Sequence, residues 1–182
     1  EVEILQPNGQ PASGAEVVLS SSPLGLDAIT IVADGTGKGR LPERSLGKVV
    51  LVHDPKSHAS LVRRVDPDNS SGHRWILRPD SMATLSLAVE GSDHKALAGR
   101  MIVLWVDGHP IAGGLLSFLT DSIPTTDTQG LWSSRLGSPA GALRVAAVNY
   151  VSLSSRGAEP YASMANDVPS PVPAILRLIG ME

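Results

Sequence analysis

The chain has 182 residues, 42% hydrophobic, 18% charged and 3% aromatic, with a formal net charge of −3 and no cysteine. Eighteen glycines and 14 prolines make up about 18% of it, against a usual ~12%, so the backbone turns too often for a helical bundle. Ample apolar content at low net charge excludes a disordered chain, and the missing cysteines exclude a disulfide scaffold or a thiolate metal site.

Short β-rich runs punctuated by turns follow in chain order. Val2 and Ile4 alternate with Glu1 and Glu3, the period of a half-buried strand, and Pro7-Asn8-Gly9 supplies a turn. Glu16–Leu19 and Ala28–Val32 read as strands, and Asp34-Gly-Thr-Gly37 as a turn. Lys48–Val52 and Arg74–Leu77 complete the first half with aliphatic runs of strand length.

The second half repeats this order. Gln10–Gly14 before Val17–Leu19 is similar to Lys95–Gly99 before Ile102–Leu104, at an offset of 85. Asp34-x-x-Gly37 returns as Asp127-x-x-Gly130 at 93, Gly47–Val50 as Gly141–Val145 at 94, and Trp75–Leu77 as Ile175–Leu178 at 100. Offsets that only rise predict two tandem units with longer loops in the second. The expected boundary separates a first sandwich, 1–79, from a second, 80–182, near Arg78–Ser81. Residues 154–174, which include Pro160, Pro169, Pro171 and Pro173, read as a long irregular loop. The fold class expected is all-β, two small tandem Greek-key sandwiches. Units of such size bury a lower fraction of their surface alone, so a contact between them is expected to add stability.

Pro11-Ala-Ser-Gly-Ala15, Asp34-Gly-Thr-Gly37 and Leu46-Gly47-Lys-Val-Val50, echoed by Leu97-Ala-Gly99, Asp127-Thr-Gln-Gly130 and Pro139–Val145, resemble the carboxypeptidase regulatory-like domain, a prealbumin-like (transthyretin-type) or Ig-like β-sandwich. The first copy departs from that pattern where Lys38-Gly39 follows Gly37, while Trp132 lies near the equivalent point of the second. The resemblance implies an accessory or display module of bacterial surface proteins, pili or transporter extensions, and implies no active site. Prealbumin-like enzymes acting on hydroxyisourate end in Tyr-Arg-Gly-Ser, which the segment Leu176–Glu182 lacks.

Residue patterns for chemistry point the same way. His53, His58, His73, His94 and His109 show no paired ligand spacing. Asp66–Gly72 departs from a calcium loop in the place of its glycine and the missing twelfth-position glutamate. Gly35–Gly39 matches neither phosphate-binding glycine motif, and no Gly-x-Ser-x-Gly elbow occurs. No lysine lies on the first strand of either unit, Val2–Leu5 or Thr84–Val89, to form an internal isopeptide bond. No catalytic residue, cofactor or metal is expected.

No basic block marks a nucleic-acid partner; Arg63-Arg64 stands alone. No run approaches the ~20 apolar residues of a membrane helix. The absent initiator methionine and signal peptide lead us to expect a processed or excised product. The leading expectation is therefore a non-enzymatic extracellular or cell-surface module of bacterial type, forming a homo-oligomer or polymer through its sheet edges. Val2 and Ile4 at one end, and Ile175, Leu176 and Leu178 at the other, are the candidate strand-addition residues. The alternative is a ligand- or glycan-binding accessory domain of a larger surface protein or transporter, with Trp132 as the contact residue; Asn69 opens a glycosylation sequon.

Overall fold

The computed structural model describes residues 1–65, 73–77, 81–120, 122–138 and 143–180. The first half runs β1 (Val2–Leu5), β2 (Glu16–Ser20), β3 (Ile29–Val32), β4 (Lys38–Gly39), β5 (Val49–His53), β6 (Ser60–Arg64) and β7 (His73–Ile76). The second runs β8 (Ser81–Glu90), β9 (Met101–Val106), β10 (His109–Ala112), helix α1 (Gly113–Leu116), β11 (Leu131–Ser138), β12 (Leu143–Val148), helix α2 (Tyr150–Arg156), a 3₁₀ turn (Glu159–Met164), β13 (Asn166–Asp167) and β14 (Leu176–Ile179). The architecture is all-β, with short helical insertions that fall, among the described residues, in the second half.

Both halves hold one three-stranded and one four-stranded sheet, in the same order. The first has β4-β1-β7 and β3-β2-β5-β6; the second has β11-β8-β14 and β10-β9-β12-β13. The outer strand β7 runs parallel to β1, as β14 does to β8, and the other pairs are antiparallel.

Sequence pattern explains which sheets are covered twice. Val49–Val52 of β5 and all of β9 are continuous apolar runs, buried throughout, the pattern of strands with both faces packed. On β2, Val17 and Leu19 face Val2, Ile4, Trp75 and Leu77 in the first interior. The alternate residue Val18 joins Val49, Leu51 and Val62 in a different cluster, which also holds Leu104, Ile111, Leu115 and Leu116 of the second half. One apolar core therefore crosses from half to half. Backbone bonds reinforce the junction: Ala112 and Gly114 donate to the carbonyls of Pro23 and Leu24 at 2.8 and 2.9 Å.

The paired turn motifs fold as equivalent clamps. Gly37 and Gly130 receive the backbone N–H of Ile4 and Val89 at 2.8 and 2.9 Å. Asp34 and Asp127 accept from the N–H two and four residues on, at 2.8–3.0 Å. A Cβ on Gly37 would stand 2.6 Å from the Ile4 carbonyl oxygen, and one on Gly130 2.7 Å from that of Val89. Both glycines have positive φ, +75° and +72°, so the turn needs glycine for conformation and for space.

Strand registers correct three details of the sequence alignment. Parallel pairing places Trp75 opposite Ile4 and Leu178 opposite Val89, so Trp75 answers to Leu178 and not to Ile175. Nor do the offsets only rise. The first-half connection between β2 and β3 is a loop, Ser21–Ala28, where the second half has the two-residue hairpin Asp107-Gly108, so the spacing shortens there before it lengthens. Finally, residues 154–174 are not one irregular loop. They include the end of α2, the 3₁₀ turn and β13. The Asn149 side chain accepts from Val151 N–H at 3.0 Å and Gly157 ends the helix at φ +74°, a capped start and a glycine stop.

Candidate assembly edges

Four aspartates, Asp27, Asp34, Asp54 and Asp93, hold turns and loops through hydrogen bonds to their carboxylates. Hydrogen bonds from the Ser20 and Ser21 side chains hold the Asp27 carboxyl far below the usual carboxylate range. Lys38 N–H and the Thr36 hydroxyl and N–H lower Asp34, and the Lys95 side chain and N–H lower Asp93. Burial alone would raise Asp54, yet hydrogen bonds from Ser57, Gln6 and the Lys56 N–H outweigh it and lower the carboxyl. The His53 and His58 rings stand 6.1 Å apart. Among the described residues, no three His, Asp or Glu side chains gather as a metal site. Two open clefts are bordered by charge: one of about 520 Å3 at Glu1, Asp34, Lys38, Gly39 and Arg40, and one of about 340 Å3 at Arg63, Arg64, Gly108, His109 and Glu159.

The predicted strand-addition residues separate. Val2 and Ile4 lie on β1, the middle strand of its sheet, bonded to β7 on one side and to β4 and the Gly37 carbonyl on the other. Both side chains are fully buried. This terminal strand is internal because the chain returns twice to flank it, so it has no open edge to offer. Leu176 and Leu178 lie on β14, paired only to β8 among the described residues. Leu178 is in the core, while Ile175 just before the strand and Ile179 at its end are 53% and 50% exposed. Arg177 reaches back to Glu90 at 2.7 Å.

Trp132 is not a surface platform. It is 4% exposed and its indole N–H donates to the Ile123 carbonyl at 2.9 Å, because alternation on β11 turns it inward while Leu131 and Ser133 face out. It presents no open ring face to a sugar. Asn69 lies outside the described residues.

An edge that sequence reasoning did not single out is β3. Exposed edges are ordinarily blunted by shortness, charge, proline or a covering element. Here β4 and β13 have two residues each, β10 carries Pro110 and is largely buried, β6 ends in Arg63-Arg64, and β11 carries Arg135. By contrast, β3 reads Ile-Thr-Ile-Val, uncharged and without proline, with Ile29 42% and Val32 61% exposed. The run between Asp27 and Asp34 was the available signal; that it lies at an edge is decided by the order of strands in the sheet.

Comparison with protein-family models and with curated proteins finds no match to this chain. Among solved structures, the Bacillus anthracis TIE protein is 12% identical over 81% of this chain, with a TM-score of 0.29; the chain spans 27% of that protein's length. A shaft pilin, SpaA of Lactobacillus rhamnosus GG, is 10% identical over 92% of this chain and 83% of its own, with a TM-score of 0.35. A streptococcal ancillary pilin is 11% identical over 99% of this chain and 68% of its own, with a TM-score of 0.36.

Proposed function

We propose that the chain is a non-enzymatic structural module of a bacterial cell surface, built from two tandem carboxypeptidase regulatory-like sandwich domains, 1–79 and 80–182, that assembles with copies of itself by strand addition. The observation that carries this reading is the β14 edge, unpaired on one side among the described residues and bordered by exposed Ile175 and Ile179. Backbone N–H and C=O groups along such an edge supply affinity, and alternate side chains fix register. The apolar core shared by the two halves suits a load-bearing unit, since the halves are joined by packed side chains as well as by the chain itself.

Sedimentation velocity and negative-stain microscopy over a wide dilution series test the proposal. Mass should rise with concentration above the 19.0 kDa of one chain, with linear particles at the high end. A monomer at every concentration rejects it.

A further inference from the structure

Resting on that self-assembly reading, we infer that the two edges are complementary halves of one contact: β14 of each copy pairs with the edge of β3 of the next, which among the described residues is bonded only to β2 on its other side. Both strands have four residues, and each leaves two apolar side chains exposed at its ends, Ile29 and Val32 on β3, Ile175 and Ile179 about β14. Leu26, 74% exposed, extends the apolar border of β3. Joining the two edges sets these apolar borders beside each other.

Pairing of unlike edges is favoured over pairing of like ones by where the charges fall. From 171 to 180 the one charged residue is Arg177, and antiparallel pairing of β14 with itself in the register centred on residue 177 sets Arg177 against its own copy, a destabilising arrangement across a strand pair that Glu90, 2.7 Å from Arg177, offsets in part. The stretch 26–34 carries only Asp27 and Asp34. Pairing β3 with itself gathers those carboxylates at both ends, with Lys48 at 4.0 Å offsetting Asp27 in part. Pairing β3 with β14 instead sets one arginine between two aspartates. Because β3 belongs to the first half and β14 to the second, the contact is heterologous, and repetition of it extends a filament unless the rotation closes a ring.

Two blocked variants of the full chain test this, Val32→Lys, which sets a second cation against Arg177, and Ile179→Pro, which removes a backbone N–H from the open edge of β14, both at exposed positions; melting curves matching the parent confirm that each folds. Each alone should sediment as a 19.0 kDa monomer at concentrations where the parent chain assembles. Mixed in equal amounts, they should give a two-chain species and no filament, since one retains a free β14 and the other a free β3. A Val32→Lys protein that still pairs with itself, or variants that both assemble like the parent, overturn the inference while leaving self-assembly standing. A parent chain that stays monomeric overturns the self-assembly reading itself.

Discussion

The two four-stranded sheets share an order of strands but not a cover. In the first half, the face of β3-β2-β5-β6 turned away from β1 packs Val18, Leu51 and Val62 into the core of the second half. In the second, the corresponding face of β10-β9-β12-β13 carries Val103, Trp105 and Val148 under Leu153, Ala158 and Tyr161 of α2 and the 3₁₀ turn, with Leu24 of the first half at the margin. One sheet is completed by its neighbour and the other by its own insertion. The edges differ in step. Five residues of β6 pair with β5, whereas β13 pairs with β12 at two, and the inserted helices lie over that side of the second half. A repeat of one topology thus becomes an asymmetric unit through what is inserted between its strands.

The largest expected effects break the part of the comparison that is equal. Gly37→Ala and Gly130→Ala should each destabilise the chain by about 2–6 kcal/mol, from positive-φ strain and forced overpacking together. Urea denaturation checks the value, and a mild Gly37→Ala beside a severe Gly130→Ala would show the clamps to be unequal. Next comes the shared junction. Leu115 is fully buried in the cluster that both halves enter, so Leu115→Ala should remove about 2–5 kcal/mol. Amide exchange should speed at Leu51 and Leu104 together; protection lost from the second half alone would mean that the halves unfold separately.

The smallest effect concerns pH and sharpens the contrast in turn chemistry. Three lowered carboxylates, Asp27, Asp34 and Asp54, belong to the first half, and Asp93 to the second. A carboxyl lowered by folding stabilises fully above its unfolded value of about 3.9 and loses that contribution as pH falls through its lower folded value. Stability should therefore decline below about pH 4. Asp54→Asn should lower stability at neutral pH by about 1–2 kcal/mol and flatten the acid decline. An unchanged acid profile would show that Asp54 does not contribute to it.

Much of the scaffold was legible. Glycine and aspartate at matched spacing marked Asp34-x-x-Gly37 and Asp127-x-x-Gly130 because a turn of this kind leaves few residue choices. The apolar runs of β2, β5 and β9 marked buried strands. The helices were not legible: α1 contains Gly113 and Gly114, poor helix formers. They are accommodated because Leu115 and Leu116 bury and because the glycines let Leu24 approach, with Gly114 N–H on its carbonyl at 2.9 Å. The candidate edges were half legible, for the segments about β1 and β14 look alike as apolar terminal runs.

The sequence by itself determined that the chain is all-β, that its turns recur in two copies, and that Trp75 sits on an apolar strand. These are local matters of backbone conformation and side-chain alternation. Only the tertiary structure decided that β1 is central and β14 an edge, that Trp132 points inward, and that Val18 and Leu51 complete the core of the other half. Each depends on which strand lies beside which and on what packs over the sheet, and residues far apart in the chain set both.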